Sequence, residues 1–423
     1  MKNNTENNIL HVSPSTLEGK VELSGAKNSV LKLLAASLLT DDEVIIGNFP
    51  ETLSDAIIHL EMLQVLGKEC EVFDNGKTVK ITQKNELADE LIWSGRSIRN
   101  TLLILGACFA RTGVMSVPHP GGCKLGERKY DIHLAILEAF GGVVDETDTN
   151  LSVRRIGKLK GCDIHLPMRS TGATENAILI GSLAEGTTNI WNPHIRPEVL
   201  DLINMLNSMG AKITVYGQER IAVEGVKKLR GVQHDTILDN MEALTWTVGS
   251  MVTGGTIEIP NFPFEHLELP MIYLRESGAK IYRSNNDAII TPGNIYPLEI
   301  STGPYPGINS DMQPILAAYA ACAKGVSTIV DLRFVGRYAY AAQFAKLNVK
   351  TETKDMLLKI KGCGRDSLVA NSVVATDLRA GIALTLLGLA NKSGVTEIND
   401  AWQIERGYCD FKNKLRSLGA KIN

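Results

Sequence analysis

The sequence predicts an α/β protein of two similar domains, each built from three copies of one βαβαββ unit. Six times along the chain, a helix of small and apolar residues is followed by an amphipathic helix that ends near a glycine, and these ends recur about every seventy residues. The chain has 423 residues, which is too many for one ordinary core, so the six copies are expected to divide into two domains.

The first helix of each copy is apolar on most faces, which indicates a buried helix packed closely against its neighbours. The predicted first helices are Ser29–Thr40, Asn100–Arg111, Glu175–Glu185, Ala243–Gly254, Met312–Gly325 and Ala383–Gly394. The second helix of each copy ends at a residue suited to a left-handed cap, which is glycine in five copies and asparagine in the fifth. The predicted closing pairs are Leu66-Gly67, Gly141-Gly142, Gly210-Ala211, Gly278-Ala279, Leu347-Asn348 and Gly419-Ala420.

Short runs rich in β-branched residues separate the helices and predict strands. Those between the two helices of a copy are Glu43–Ile46, Thr188–Ile190, Thr256–Ile259 and Ser327–Val330. Those after the second helix are Lys212–Val215, Lys280–Arg283 and Asp287–Ile290. The chain is expected to cross from one domain to the other near Leu229–Val232, with a cleft between the domains.

Composition argues against several functional classes. The net charge of −3 disfavours broad nucleic-acid binding, although a local basic pocket remains compatible with it. A polar N-terminus and the lack of a long apolar run predict neither a secretory signal nor a membrane-inserted segment. Seven scattered cysteines, without metal-ligand spacing, favour free thiols in a reducing cytoplasm and no metal site.

A glycine-rich loop from Pro118 to His133 carries a thiol at Cys123. Lys124 and Arg128 follow it closely, and nearby cations lower the pKa of a thiol. Glycine backbone and basic side chains could also hold a phosphate. The alternative is a surface loop with an incidental cysteine, and the local residues do not decide between the two.

Several phrases along the chain together resemble one family. They are Ser24-Gly25-Ala26-Lys27-Asn28, Pro120-Gly121-Gly122-Cys123, Ser170-Thr171-Gly172-Ala173-Thr174-Glu175-Asn176, Ser310-Asp311-Met312-Gln313, Ala375-Thr376-Asp377-Leu378-Arg379-Ala380 and Glu405-Arg406-Gly407-Tyr408. In this order they resemble the enolpyruvyl transferases, and most closely the UDP-N-acetylglucosamine 1-carboxyvinyltransferases, from about Leu17 to the C-terminus. The shikimate-phosphate branch shares the fold, but the Pro-Gly-Gly-Cys loop is similar to that of the sugar-nucleotide branch.

The resemblance implies a two-domain inside-out α/β barrel, the enolpyruvyl transferase fold, with six βαβαββ repeats, three per domain. The first domain would span residues 22–231 and carry the Cys123 loop. The second would span residues 1–21 and 232–423 and carry Asp311, with the active site in the cleft between the domains.

The implied reaction transfers the enolpyruvyl group of phosphoenolpyruvate to the 3-hydroxyl of UDP-N-acetylglucosamine and releases phosphate. It is the first committed step of peptidoglycan synthesis, takes place in the cytoplasm and uses no cofactor. The implied catalytic residues are Cys123, Asp311, Lys27 and Arg406. The implied phosphoenolpyruvate-binding residues are Lys27, Arg128, Arg337, Arg379, Arg406 and Asp377.

These residue types suit the chemistry. Phosphoenolpyruvate is a multiply charged anion, and arginine binds both carboxylate and phosphate through its planar fork. Asp311 would be the base that takes the sugar hydroxyl proton, and Cys123 would help to protonate the methylene carbon. Cys123 would also be the target of fosfomycin. The alternatives are a helix N-cap for Asp311, an ordinary salt bridge for Asp377 with Arg379, and a solvated charge for any single arginine.

The resemblance also implies sugar-nucleotide contacts. They are Asn28, Arg99, Asp131, Ile132, Ser170, Thr171, Gly172, Asp311 and Arg333. Hydroxyl groups and glycine at a helix start suit a diphosphate, and the alternative for Ser170-Thr171-Gly172 is a simple capping turn.

The sequence departs from the family pattern mainly on the acceptor side. The departures are Lys129-Tyr130-Asp131-Ile132 after the cysteine loop, Met168-Arg169, Asn240-Met241, Val335-Gly336, Arg333 and Arg196. One alternative is therefore a paralogue that uses another nucleotide, such as uridine monophosphate, in a nucleoside-antibiotic pathway. A non-catalytic binding paralogue is a further alternative, and it would have lost the thiol, the base or the cations.

Overall fold

The computed structural model describes residues 9–121 and 130–423. They form two compact units. The first unit contains residues 25–121 and 130–237, and the second contains residues 9–24 and 238–423. Each unit has a hydrophobic core of its own.

The helices of the described residues are α1 (Lys27–Ala36), α2 (Ser54–Val65), α3 (Thr101–Thr112), α4 (Asp131–Ala139), α5 (Thr171–Gly181), α6 (Pro197–Ser208), α7 (Asn240–Thr253), α8 (Glu268–Glu276), α9 (Gln313–Ala321), α10 (Ala339–Lys346), α11 (Leu378–Ala390), α12 (Trp402–Glu405) and α13 (Phe411–Ser417). Short 3-10 helices lie at Ser37–Leu39, Phe264–His266 and Arg365–Ser367. No helix within the described ranges is both long and apolar enough to cross a membrane.

The strands of the same residues are β1 (Leu10–Val12), β2 (Gly19–Lys20), β3 (Val44–Gly47), β4 (Lys68–Phe73), β5 (Thr78–Gln83), β6 (Val114–Pro118), β7 (Gly142–Glu146), β8 (Asn150–Arg155), β9 (Asp163–His165), β10 (Thr187–Trp191), β11 (Lys212–Tyr216), β12 (Arg220–Glu224), β13 (Val232–Asp235), β14 (Ile257–Ile259), β15 (Lys280–Ser284), β16 (Asp287–Thr291), β17 (Glu299–Ser301), β18 (Lys324–Val330), β19 (Lys350–Lys354), β20 (Leu357–Cys363), β21 (Ser372–Val374) and β22 (Thr396–Asn399).

The predicted βαβαββ unit is clearest in the third and fifth copies. In the third copy, β9 and β10 are parallel, and β12 and β11 extend the sheet in antiparallel fashion. In the fifth copy, β17, β18, β20 and β19 repeat that order. A parallel pair needs a crossover connection, which α5 and α9 provide.

Two copies take their first strand from a distant part of the chain. The first copy uses β13, whose residues Val232–Asp235 pair in parallel with Val44–Gly47 of β3. The fourth copy uses β2, which pairs in parallel with β14. Among its described residues, the second copy has only the single bridge Glu90–Ser116 where the other copies have a parallel strand. The chain consequently passes to the second unit after Ile237, later than the crossing expected at Leu229–Val232, because β13 belongs to a sheet of the first unit.

The six predicted helix ends are confirmed. Every residue expected to form a left-handed cap has a positive φ: Gly67 (101°), Gly141 (83°), Gly210 (103°), Gly278 (102°), Asn348 (68°) and Gly419 (88°). Glycine adopts this region without strain and asparagine tolerates it better than most residues.

The first helices begin earlier than predicted in four copies. Helices α1 and α7 begin at Lys27 and Asn240 instead of Ser29 and Ala243. Helix α5 begins at Thr171 instead of Glu175, and α11 begins at Leu378 instead of Ala383. For α11 the reason is Asp377, whose Oδ1 accepts the backbone N–H groups of Arg379 and Ala380 and thereby caps the helix. Helix α9 ends at Ala321, before the predicted Gly325, because β18 already begins at Lys324.

Glycine in these inner helices allows the close packing that their composition predicts. A Cβ on Gly106 of α3 would collide with the amide oxygen of Asn176 on α5. The polar side chain of Asn176 therefore lies directly against the backbone of the neighbouring helix, in the core of the first unit.

Candidate active site

The second unit brings three of the predicted residues together around one carboxylate. Oδ1 of Asp311 lies 2.8 Å from Nη2 of Arg337, and Oδ2 lies 4.0 Å from Nε of Arg379. The Asp311 side chain is 30% exposed, whereas those of Arg337 and Arg379 are 3% and 1% exposed. A partly exposed carboxylate is thus backed by two buried cations.

The position of Asp311 excludes the N-cap alternative. Helix α9 begins at Gln313 with Met312 as its N-cap residue, so Asp311 precedes the cap. The backbone N–H of Asp311 donates to Oδ1 of Asn309, which fixes the turn before the helix. The Asp311 carboxylate therefore does not cap the helix, and it contacts Arg337 and Arg379.

Asp377 has the role of a helix cap. Its side chain accepts the backbone N–H of Arg379, so the bond between these two residues is not a side-chain salt bridge. The cap fixes the start of α11 and directs the Arg379 side chain toward Asp311. The Arg379 guanidinium also lies 5.3 Å from the centre of the Tyr408 ring, whose hydroxyl contacts Thr245.

Arg337 stays charged although it is buried. Burial acts to lower the pKa of Arg337, but the carboxylates of Asp311 and Asp377 act in the opposite direction, and the net pKa is raised. Within the described chain, Nε of Arg337 and Nε and Nη1 of Arg379 have no hydrogen-bond partner. Buried N–H donors on charged groups are expensive to leave unpaired. These groups therefore suit an anionic ligand, which would accept their hydrogen bonds.

Arg406 and Arg333 lie at other points of the same unit. Arg406 is 5% exposed, follows α12 directly and donates from Nη1 to Oε1 of Gln403. Arg333 is exposed, and its guanidinium lies 5.2 Å from the ring centre of Phe334.

The sequence interpretation missed Asp331, which organises this region. It is completely buried at the end of β18. Oδ1 accepts from Thr302 and from the backbone N–H groups of Arg333 and Phe334, and Oδ2 accepts from Ser310 and Gln313. Ser310 in turn accepts from Nη1 of Arg337. In the sequence, the signal that could have identified Asp331 is its position as a polar residue directly after a predicted buried strand.

In the first unit, two predicted residues lie at the start of α1. Lys27 is the first residue of this helix and is 9% exposed, and Asn28 follows it. Nζ of Lys27 lies 2.9 Å from Oδ2 of Asp55 on α2. Asp55 was also missed by the sequence interpretation.

The remaining predicted residues of the first unit lie at or near helix starts. Ser170 is the N-cap residue of α5, but its side chain makes no capping hydrogen bond, and Oγ1 of Thr171 contacts Nδ1 of His194 instead. A Cβ on Gly172 would lie 3.2 Å from the ring of His133 on α4. Helix starts carry partial positive charge, which suits the phosphate groups of a nucleotide.

Arg99 belongs to the same neighbourhood. The buried ring of His133 has a pKa lowered to about 3, first by burial and then by the charge of Arg99. Asp131 and Ile132 form the first turn of α4, with Asp131 exposed. The charge of Arg99 thus acts on His133, which lies in the same first turn of α4 as these two predicted residues.

Cys123 and Arg128 lie outside the described residues, so their expected roles stay predictions. The six described cysteines are free thiols. Burial raises the pKa of Cys70 and Cys108 to about 12 and that of Cys162 to about 11. Burial also raises the pKa of Cys322 and Cys363. These five thiols are protonated near neutral pH and are poor nucleophiles.

Comparison with protein families and curated proteins identifies relatives over nearly the whole chain. The family model described as EPSP synthase (3-phosphoshikimate 1-carboxyvinyltransferase) matches residues 12–415. The chain is 39% identical over 419 residues to UDP-N-acetylglucosamine 1-carboxyvinyltransferase 1 of Caldanaerobacter subterraneus, with 98% of each chain covered. It is 38% identical over 409 residues to UDP-N-acetylglucosamine 1-carboxyvinyltransferase 2 of Carboxydothermus hydrogenoformans, with 96% of each covered.

Solved structures confirm the predicted fold class. The enolpyruvyl transferase NikO from Streptomyces tendae superposes with a TM-score of 0.87 at 24% identity, with 98% of each chain covered. EPSP synthase from Acinetobacter baumannii superposes with a TM-score of 0.74 at 19% identity, with 98% of this chain and 99% of that chain covered. At these identities the similarity establishes the fold.

One buried carboxyl beside the candidate site predicts a pH effect on stability. Glu175 on α5 is 1% exposed, with Oε2 3.7 Å from Nζ of Lys32. Burial raises the pKa of Glu175 to about 7, against the opposing effect of Lys32. Between its unfolded and folded pKa values the native state holds a proton that the unfolded state has lost, so stability falls as pH rises through that window.

Glu175→Gln should remove this pH dependence. The variant should gain stability relative to the wild type as pH rises from about 5 to about 8, by up to about 3 kcal/mol in the free energy of unfolding. Denaturant unfolding at several pH values measures the difference. If the free energies of unfolding of the wild type and Glu175→Gln differ by a constant amount across this pH range, Glu175 is ionised in the native state throughout.

Proposed function

Because the chain belongs to the EPSP synthase family of enolpyruvyl transferases, we propose that it transfers the enolpyruvyl group of phosphoenolpyruvate to the 3-hydroxyl of UDP-N-acetylglucosamine and releases phosphate. The names of the curated relatives support this choice of acceptor. The reaction would supply peptidoglycan synthesis in the cytoplasm, without a cofactor.

The observation that carries the proposal is the Asp311 cluster. Arg337 and Arg379 present buried, charged N–H groups without partners among the described residues, beside a carboxylate that reaches solvent. Phosphoenolpyruvate carries a carboxylate and a phosphate, and guanidinium groups bind both. Lys27 and Arg406 would add further cations, as would Arg128.

Asp311 would act as the general base. The reaction forms a bond between the sugar 3-oxygen and C2 of the enolpyruvyl group and breaks the bond from C2 to the phosphate oxygen. The proton of the 3-hydroxyl is lost in that exchange, and a carboxylate within hydrogen-bond reach can take it. Arg337 favours the ionised form of Asp311, which is the form that accepts a proton.

The acceptor would be bound mainly by the first unit. The starts of α1, α4 and α5 place Asn28, Asp131, Ile132 and the Ser170-Thr171-Gly172 turn at positive helix ends. Arg99 adds a cation close to His133. Together these groups suit a nucleotide diphosphate and its sugar. Arg333, from the second unit, would contribute an exposed guanidinium.

The acceptor assay tests the proposed function directly. Purified protein with phosphoenolpyruvate and UDP-N-acetylglucosamine should release phosphate, and uridine monophosphate in a parallel reaction should release little. A coupled phosphate assay measures both rates. Phosphate release with uridine monophosphate but not with UDP-N-acetylglucosamine would contradict the proposed acceptor. It would instead support the alternative, a paralogue that modifies another nucleotide.

Asp311→Asn should abolish most turnover while substrates still bind. Loss of a general base lowers kcat by roughly 10²–10⁴-fold, since the amide cannot take the hydroxyl proton. Steady-state kinetics and titration of UDP-N-acetylglucosamine binding measure the two effects separately. The matched control is Asp366→Asn, which removes an exposed carboxylate paired with Lys392 in the same unit and should leave kcat unchanged. Equal kcat in the wild type and Asp311→Asn would remove Asp311 as the base.

Fosfomycin should inactivate the enzyme by adding to Cys123 alone. The described thiols with raised pKa values are protonated near neutral pH, so they should not open the epoxide. Peptide mass spectrometry after incubation with drug and UDP-N-acetylglucosamine locates the adduct, and Cys123→Ser serves as the control. An adduct on any other cysteine, or none at saturating drug, would contradict the assignment of Cys123 as the reactive thiol.

A further inference from the structure

Asp55 holds two cations of the first unit at once. It is the second residue of α2, and its side chain is 7% exposed. Oδ2 lies 2.9 Å from Nζ of Lys27, and Oδ1 lies 2.8 Å from Nη2 of Arg96. The same Arg96 nitrogen also donates to Oγ of Ser54, 3.0 Å away. Each carboxylate oxygen therefore has its own cation.

This arrangement restricts the conformational freedom of the Lys27 side chain. A lysine side chain has a long flexible stem and a compact charge, so a free lysine loses much conformational entropy when it binds an anion. The side chain of Lys27 is 11% exposed, and its ammonium is tied to a neighbouring helix before any substrate arrives. One carboxylate between two cations leaves a net positive charge, so the contact orients Lys27 without neutralising this part of the site.

Arg96 links Asp55 to the backbone that leads toward the cysteine. Ser97, the next residue, donates from Oγ to the carbonyl of His119 (2.8 Å) and accepts the N–H of Gly121 (3.1 Å). A Cβ on Gly121 would collide with the Ser97 carbonyl, so these two segments lie in direct contact. The Asp55 carboxylate is thus connected, through Arg96 and its neighbour, to the backbone two residues before Cys123.

We propose that Asp55 is a positioning residue for enolpyruvyl transfer. It directs the Lys27 ammonium toward phosphoenolpyruvate and, through Arg96, fixes the backbone at Gly121. This assignment rests on the proposed function, because the role of Lys27 as a phosphoenolpyruvate ligand belongs to it. Asp55 itself touches no reacting atom, so its effect on the reaction passes through Lys27.

A purely structural ion pair is the competing explanation, and Asp201 provides its matched control. Asp201 is a buried aspartate on α6, contacts Ser29 in the first turn of α1 and lies 2.7 Å from Nε2 of His234. Like Asp55, it joins the second helix of a copy to the start of α1. Unlike Asp55, it is not paired with one of the candidate site cations. Asp201→Asn should therefore lower thermal stability with kcat/KM for phosphoenolpyruvate little changed.

Asp55→Asn should lower kcat/KM for phosphoenolpyruvate by roughly 10–100-fold, with KM for UDP-N-acetylglucosamine little changed. Asp55→Glu keeps the charge and should recover a large part of that loss. Steady-state kinetics well below the melting temperature of each variant give these values. Equal kcat/KM values in the wild type and Asp55→Asn, or equal losses in Asp55→Asn and Asp201→Asn, would overturn the proposal.

A second readout does not depend on turnover. Acylation of Lys27 by an amine-reactive reagent, followed by peptide mass spectrometry, should be severalfold faster in Asp55→Asn than in the wild type, and unchanged in Asp201→Asn. Equal labelling of Lys27 in the wild type and Asp55→Asn would overturn the positioning role. A wild-type protein that releases no phosphate with any acceptor would refute the proposed function, and the labelling result would still decide whether Asp55 restrains Lys27.

Discussion

The second unit depends on keeping two guanidinium groups charged in its interior. Removal of an ion from water costs several kcal/mol even after the protein relaxes, so Arg337 and Arg379 require compensation. Asp311 supplies a direct ion pair, and Asp377 adds a second negative charge while it caps α11. Because the N–H groups are already desolvated and fixed, an anion that binds them needs little reorganisation of the protein.

In the first unit, a buried polar contact between helices recurs in each of the three copies. Each second helix contacts the next first helix by a buried polar pair: His59 with Asn100, His133 with Asn176, and Asp201 with Ser29. The last pair joins the third copy back to the first, so the three contacts form a closed ring. The candidate nucleotide residues Asn28 and Ser170-Thr171-Gly172 lie at the amino ends of the inner helices α1 and α5.

Much of this fold could be predicted from the sequence, because its signals are local. Left-handed caps leave glycine or asparagine at fixed places, and all six were found. Local signals did not show the strand exchange, since β2 and β13 have two and four residues and their partners are far along the chain. The assignment of residues 1–21 to the second domain came from the family resemblance alone. Asp55 and Asp331 were missed for a related reason. An aspartate beside a helix or strand end is ordinary until the fold shows that its oxygens face Lys27 or Ser310.

The departures from the family pattern acquire partners in the structure. Arg196 makes a bidentate pair with Glu198, with both distances 2.7 Å, and the Tyr130 hydroxyl donates to Glu146. Arg169 reaches Oδ1 of Asn192. A polar substitution that finds a complementary neighbour restores the local hydrogen bonding that burial requires.

Arg333 departs from the pattern in another way. It is exposed, and its loop is fixed by the buried carboxylate of Asp331 through two backbone N–H groups. The exposed guanidinium on this fixed backbone adds a positive charge to the surface of the second unit. Such a charge favours anionic acceptors in general, so it is compatible with the diphosphate of a nucleotide sugar and does not by itself demand a different substrate.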